Sequence, residues 1–278
     1  MSPKDLTIII VTYKSDEKIF DCLKSISSEL SVIIVENSNN NTFKQKIEEN
    51  FANVKCILTG ENKGYSVANN IGLKLVKSKY ALVLNPDTIL DKDAINQFFL
   101  SISDNNDFWL MGPGNDQMKT LNFKNKNLIE VENLKGFAIF FNLEKFNQDY
   151  FDENFFLFFE EIDLCKNVLN KKGKIYLNKD IIIKHEGASS VKRKKGDIEL
   201  EKNRNWHWMW STFYYHKKHK GFLVAFVIIL PKMISAVFKI IFYFLTFNKK
   251  KRDIYISRLS GIFNSLIGKN SWYRPSID

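Results

Sequence analysis

The chain has 278 residues, 45% of them hydrophobic and 26% charged, with 24 phenylalanines, enough apolar material for a sizeable core and too much for a disordered protein. Its three cysteines, Cys22, Cys56 and Cys165, are odd in number and widely spaced, which argues against a disulfide framework or a cysteine metal site. The net charge of +10 is uneven: about 23 basic against about 26 acidic side chains up to Ser189, then about 18 against about 5, so only the tail is basic.

The N-terminus runs straight into an apolar segment without the long hydrophobic stretch and cleavage site of a signal peptide, and a reducing, cytoplasmic location is expected. Short β-branched runs then predict strands at Leu6–Thr12, Val32–Val35, Val54–Leu58 and Tyr80–Leu84. Between them Ile19, Leu23, Ile26 and Leu30, and later Val67, Ile71 and Leu75, recur at helical spacing. This β-α-β alternation predicts an α/β fold whose mostly parallel sheet is covered by helices on both faces. A loop-like stretch over Gly112–Asn127 follows, then an apolar run at Phe137–Phe141. The aromatic block Phe155–Phe159 meets an acidic cluster that continues as a helix to about Gly173, and short strands are predicted at Lys174–Leu177 and Ile181–His185.

In open α/β sheets, ligands bind beyond the carboxyl ends of the strands. There the sequence places Thr12 and Tyr13, then Glu36 and Asn37, then Asn62 and Gly64 leading to Asn69, then Asn85 and Asp87. Asp87, fixed by Pro86, has the chemistry to hold Mg²⁺ or Mn²⁺ against a diphosphate, since hard cations prefer oxygen ligands; the same residues also suit a turn that caps a helix. Glu160, Glu161 and Asp163 sit at a helix start, where the dipole keeps a carboxylate ionised and able to accept a proton, although acidic residues are common at such positions for stability alone. His185 ends a strand and can ligate the same metal, or serve only structure.

Taken in order, Ile9–Tyr13, Ile34–Ser38, Glu61–Tyr65 with Asn69-Asn70, Leu84–Thr88, Phe155–Cys165 and His185–Ser189 resemble the family 2 glycosyltransferases, especially their rhamnosyltransferase-like branch. The resemblance implies a GT-A fold and assigns roles. Thr12, Tyr13, Glu36 and Asn37 contact base and ribose, and Asn62, Gly64, Asn69 and Asn85 line the donor site. Asp87 and His185 bind metal, Glu161 is the catalytic base, and Glu160 and Asp163 lie on the acceptor side. The donor it implies is a nucleotide-diphosphate sugar, such as dTDP-rhamnose or a UDP-sugar, and the acceptor a lipid-linked or other glycan. Glu36, Asn85 and Glu161 stand where the family usually has aspartate.

A GT-A catalytic domain is therefore expected over residues 1–215, with a nucleotide half to about 100 and an acceptor half over 101–190, followed by a membrane-associated tail over 216–278. In that tail Gly221–Phe247 is long enough to cross a bilayer but is interrupted by Pro231, Lys232 and Lys239. Its polar stripe, with Asn248–Arg252 and the tryptophans at 206, 208 and 210, suits a helix in the interface of an anionic membrane. The interleaved apolar residues favour lipid over nucleic acid as the basic tail's partner, and packing on a second copy stays open. An NAD-dependent dehydrogenase is disfavoured because Val11–Lys18 lacks the glycine fingerprint; a sugar-nucleotide-binding scaffold without turnover is the non-enzymatic alternative.

Overall fold

A computed structural model describes residues 2–15, 18–104, 107–114, 127–185 and 198–274. The chain forms two compact units, one of residues 1–152 with 161–192, the other of 153–160 with 193–278.

The first unit is built on an eight-stranded sheet. Its first half is parallel: β1 (Leu6–Thr12) pairs with β2 (Ser31–Glu36) and β4 (Tyr80–Leu84), and β2 pairs with β3 (Val54–Leu58). The second half adds β6 (Phe108–Pro113), β7 (Leu128–Glu130), β8 (Ala138–Asn142) and β9 (Lys174–Asn178), in the overall order β3-β2-β1-β4-β8-β6-β9-β7. Here β8 runs antiparallel to both β4 and β6, and β7 to β9, so the sheet is mostly but not wholly parallel.

Alternation along β1 explains why the strands read as continuous apolar runs. Ile8 and Ile10 pack into one core with α1 (Lys18–Lys24), α2 (Asn41–Asn50) and α4 (Ala94–Asp104), while Ile9 packs into a second with α3 (Tyr65–Leu75) and α5 (Glu160–Asn170). Much of the phenylalanine excess lies in these cores; Phe98 of α4 stacks on Phe140 of β8 at 4.6 Å.

Three local expectations change. Gly112 and Pro113 belong to β6 and are not loop, while 115–126 lie outside the described residues. α1 stops at Lys24; Leu30 is still buried, but from a turn. In α3 the buried face is Ser66, Ala68, Asn69, Asn70, Gly72 and Leu73, whereas Leu75 is 44% exposed. The helix lies so close to the sheet that a methyl group on Gly72 would come within 2.6 Å of Ile9 Cγ2, which admits small side chains in place of the Val67–Ile71–Leu75 stripe.

The second unit contains α6 (Ile198–Lys220), α7 (Phe222–Leu245) and α8 (Lys249–Leu266). Residue 215 falls inside α6, so the expected boundary there is displaced: the compact units divide between Lys192 and Arg193. The cause is packing, because Met209 and Phe213 of α6 share a core with Ala225 and Ile229 of α7 and Ile262 of α8. Gly221, at φ +83°, makes the break between α6 and α7 in the left-handed region open to glycine. Trp206 and Trp210 are core residues, donating from Nε1 to Ser260 Oγ at 3.1 Å and to the Lys269 carbonyl at 2.9 Å, and only Trp208 of the three is exposed. The aromatic block also packs within this unit, where Phe155 meets Tyr214 and Phe156 stacks on His207.

Candidate active site

The metal candidates meet through strand pairing. Asn85-Pro86-Asp87 forms a turn after β4, and the chain continues as β5 (Thr88–Leu90) instead of the helix such a turn often caps. β5 pairs antiparallel with β10 (Ile183–His185), in a register that sets His185 opposite Thr88. His185 Nε2 therefore lies 3.4 Å from Asp87 Oδ1 and 3.5 Å from Asn85 Nδ2, although the residues are about a hundred apart in sequence. The Asp87 side chain is 1% exposed and that of His185 26%, so the imidazole is the more accessible of the two. Glu186–Ser189 lie outside the described residues.

A second pairing brings the helix carboxylate to the same neighbourhood. Leu84 faces Ala138 across β4 and β8, and Asn85 N donates to the Phe137 carbonyl at 2.9 Å. Phe137 stacks face to face on His185, with centroids 4.7 Å apart. Its neighbour Gly136 lies against Glu161: a methyl placed on this glycine would sit 3.6 Å from Cβ, Cγ and Cδ of the glutamate. Tyr65 Oη fixes the segment by donating to the Gly136 carbonyl at 2.8 Å. On α5, Leu164, Cys165 and Val168 are buried in the core that includes Leu134, and helical spacing puts Glu161 on that face one turn earlier.

Of the three acidic candidates, only Glu161 is partly exposed. Glu160 is buried, and Asp163 is fully buried with Oδ2 accepting from Asn167 Nδ2 at 3.0 Å, an intrahelical bond that does not bring it to an accessible surface. Burial raises the Glu161 carboxyl above its ordinary value, against the lowering pull of the backbone amides of Glu161 and Ile162 at the helix start. Phe158 and Phe159, immediately upstream, both have positive φ, at 71° and 73°, a costly conformation for aromatic residues. It turns their rings onto Trp208.

The donor-side candidates gather at the ends of β1, β2 and β3, and several engage one another. Both oxygens of buried Glu36 accept hydroxyls, from Thr12 and from Ser38, each at 2.5 Å. Asn37 donates to Asn62 Oδ1 and to the Gly64 carbonyl, both at 3.1 Å, and accepts from Lys63 N at 2.9 Å. Asn62 in turn accepts from Gly64 N at 3.1 Å. Glu36 and Asn37 thus build the loop wall. Asn69 is fully buried and donates to the Tyr65 carbonyl at 3.0 Å; its Oδ1 has no hydrogen-bond partner among the described residues. Tyr13 and Asn85 are partly exposed.

Asp87 and His185 fit a hard divalent cation. One carboxylate and one imidazole leave the remaining positions to phosphate oxygens and water, as Mg²⁺ and Mn²⁺ sites that act on diphosphates require. Among the described residues there is no cluster of three or more metal-ligating side chains. Sequence reasoning missed Tyr65, Gly136 and Phe137 as site-forming residues. Tyr65 and Phe137 lay inside segments it singled out for other reasons, and Gly136 carried no signal of its own.

The family model described as Glycosyl transferase family 2 matches residues 7–164, more than half of the chain. Over 188 residues, 58% of this chain, the sequence is 28% identical to the low-salt glycan biosynthesis hexosyltransferase Agl10 of Haloferax volcanii, and it spans 60% of that protein's length. Two solved structures share the fold. The mannosyltransferase PcManGT from Pyrobaculum calidifontis, in complex with GDP-Man and Mn²⁺, aligns with a TM-score of 0.55 at 12% identity over 94% of this chain and 87% of its own. GalNAc-T7 with UDP, GalNAc and Mn²⁺ aligns at 0.58 and 13% identity over 77% of this chain and 50% of its own. The sheet and its flanking helices are accordingly of the GT-A type, and the chain belongs to glycosyl transferase family 2.

Proposed function

We propose that the protein transfers a hexose or deoxyhexose from a nucleoside diphosphate to an acceptor hydroxyl, with inversion at the anomeric carbon. The observation that carries this reading is the β5–β10 register, which holds His185 against Asp87 beside the Gly136–Phe137 turn on which Glu161 rests. The acceptor oxygen forms its bond to the anomeric carbon as the bond from that carbon to the diphosphate breaks, and the hydroxyl proton passes to Glu161. A carboxyl raised by burial suits this role, because a general base works best when its affinity for the proton approaches that of the working solution. Asp87 and His185 would hold Mg²⁺ or Mn²⁺, which when bound offsets charge on the departing diphosphate. Tyr13 and Asn85 face the donor, and the Thr12–Glu36–Ser38 and Asn37–Asn62–Gly64 bonds keep its wall in shape.

The GDP-Man and Mn²⁺ bound by PcManGT, the UDP, GalNAc and Mn²⁺ bound by GalNAc-T7, and the hexosyltransferase activity in the name of Agl10 support the reading. The motif order favours the rhamnosyltransferase-like branch, hence dTDP-rhamnose ahead of UDP- and GDP-hexoses. The apolar, basic tail favours an acceptor linked to lipid, in surface polysaccharide synthesis at the cytoplasmic face of a membrane.

A thermal-shift screen of nucleotide sugars with and without Mn²⁺ or Mg²⁺, followed by transfer to lipid extracts, tests this. One donor should raise the melting temperature only with metal and yield a glycosylated lipid. Metal-dependent donor binding with no product from any extract would favour the scaffold, and no donor binding at all would end the reading.

A further inference from the structure

The helical unit turns its most apolar element outward. Leu223, Val227, Phe238, Phe242 and Leu245 of α7 are each more than half exposed, and Phe247 just beyond it is 94% exposed. By length and composition α7 is able to cross a bilayer, yet its neighbours are poorly suited to accompany it. α8 runs parallel to α6, with Lys250 Nζ 3.9 Å from Glu201 near one end and Ser265 Oγ donating to the Trp210 carbonyl at 3.0 Å toward the other. Both pack on α7 through Met209, Phe213 and Ile262. A crossing α7 would draw Arg252, Asp253 and Arg258 of α8 toward the hydrocarbon, where charge is costly. Both ends of α7 are also basic, with Lys217, Lys218 and Lys220 before it and Lys249–Arg252 after it. A span would place one of these clusters on the side that such residues avoid.

Cations also line the seam between α7 and α8. Lys239 Nζ donates to Tyr255 Oη at 3.1 Å, Arg258 lies over the same ring at 5.5 Å, and Lys251 lies over Tyr243 at 5.3 Å. Lys232 stands in the field of Arg258; partial burial, and then that guanidinium, hold its ammonium below the usual lysine range. Among the described residues none of the four is paired with a carboxylate. On helical spacing Lys232, Lys239 and Tyr243 share one side of α7, and Leu223 and Ile241 point the opposite way.

We propose that α7 lies along an anionic leaflet instead of crossing it, its outward apolar face sunk to the acyl boundary and Lys232, Lys239, Lys251 and Arg258 receiving lipid phosphates at the seam with α8. The geometry is that of an interfacial helix, in which long basic side chains reach head groups while the opposite face meets acyl chains. It rests on the membrane association proposed above and not on the transfer chemistry.

Two measurements on the full chain test it. The first is co-sedimentation with vesicles of phosphatidylglycerol and phosphatidylcholine, or of phosphatidylcholine alone. The wild type should prefer the anionic vesicles, and replacing all four cations by glutamine should weaken that binding at least tenfold, with helix content by circular dichroism unchanged. Equal binding to both compositions, or undiminished binding by the variant, would overturn the phosphate contacts. The second is labelling of Lys220→Cys and Lys250→Cys in sealed membranes with an impermeant maleimide. Both should react from the same side; reaction from opposite sides would overturn the in-plane placement. Metal-dependent donor binding, measured in detergent on the same variants, reports on the transferase reading separately.

Discussion

The imidazole of His185 and the ring of Phe137 lie 7° from parallel, with centroids 4.7 Å apart. The stack fixes the plane of the imidazole, and so the direction in which Nε2 meets Asp87. Partners that orient a metal-binding histidine are typically worth about 10–100-fold in metal affinity. Phe137→Leu, which keeps an apolar side chain but removes the flat platform, should weaken Mn²⁺ binding by about tenfold, and Phe137→Tyr should retain it. Titration followed by electron paramagnetic resonance reads this directly; equal affinity in the leucine variant would mean that the backbone alone orients His185.

Burial raises the Glu161 carboxyl, so the folded chain holds that proton more tightly than the unfolded chain does. Stability from this group is then complete at acidic pH and is lost as pH rises through the folded value. Glu161→Gln should melt above the wild type at neutral pH, by about 2–4 °C for each kcal/mol recovered, and the difference should close toward pH 4. An identical offset at every pH would remove titration as its cause. In the wild type, the acidic limb of kcat/KM should fall above the ordinary glutamate value of about 4.3.

His207 carries the opposite sign. Burial pushes it down to about 3 from 6.5, and its ring nitrogens lie 2.8 Å from Ser271 Oγ and from the Tyr273 carbonyl, tying the C-terminal segment to α6. The unfolded chain takes up a proton below 6.5 while the folded unit does not, so stability falls as pH drops from 6.5 toward 3. His207→Gln should flatten this acid dependence of the helical signal. A slope unchanged from the wild type would place its origin elsewhere.

Gly72→Ala tests the close approach of α3 to the sheet. Its methyl group would meet Ile9 Cγ2 at 2.6 Å and Val35 Cγ2 at 3.2 Å, in a core of β-branched residues with little freedom to yield. The variant should lose about 1–3 kcal/mol in denaturant unfolding, the usual cost of overpacking. A stability equal to that of the wild type would show that α3 moves freely on the sheet.

The strands at Leu6–Thr12, Val54–Leu58 and Tyr80–Leu84 were legible to the residue because each is a short run rich in β-branched and aliphatic residues; Tyr80–Leu84 is buried throughout, Leu6–Thr12 nearly so, and in Val54–Leu58 Lys55 alone is exposed. The helix at Glu160 was legible from its acidic start and the break at Gly173. What the sequence concealed depends on pairing between distant segments. Nothing in Lys184-His185 announces that it lies opposite Thr88-Ile89, and nothing in Gly136 announces that a glutamate will rest against it. The face of α3 was misread because the helix approaches the sheet on small residues, and hydrophobic periodicity follows large ones. Trp206 and Trp210 were assigned to a membrane interface because an aromatic cluster in a basic tail looks alike whether it anchors in lipid or closes a three-helix core.

Asp87 and Glu161 are proposed to serve one reaction in different capacities, so Asp87→Asn and Glu161→Gln should fail in different ways when measured side by side. With Mn²⁺ and the donor found by screening, Glu161→Gln should bind the nucleotide sugar about as tightly as the wild type yet lose at least a hundredfold in transfer, and Asp87→Asn should lose the metal-dependent part of donor binding itself. Normal turnover by Glu161→Gln, or undiminished metal-dependent binding by Asp87→Asn, would contradict the account.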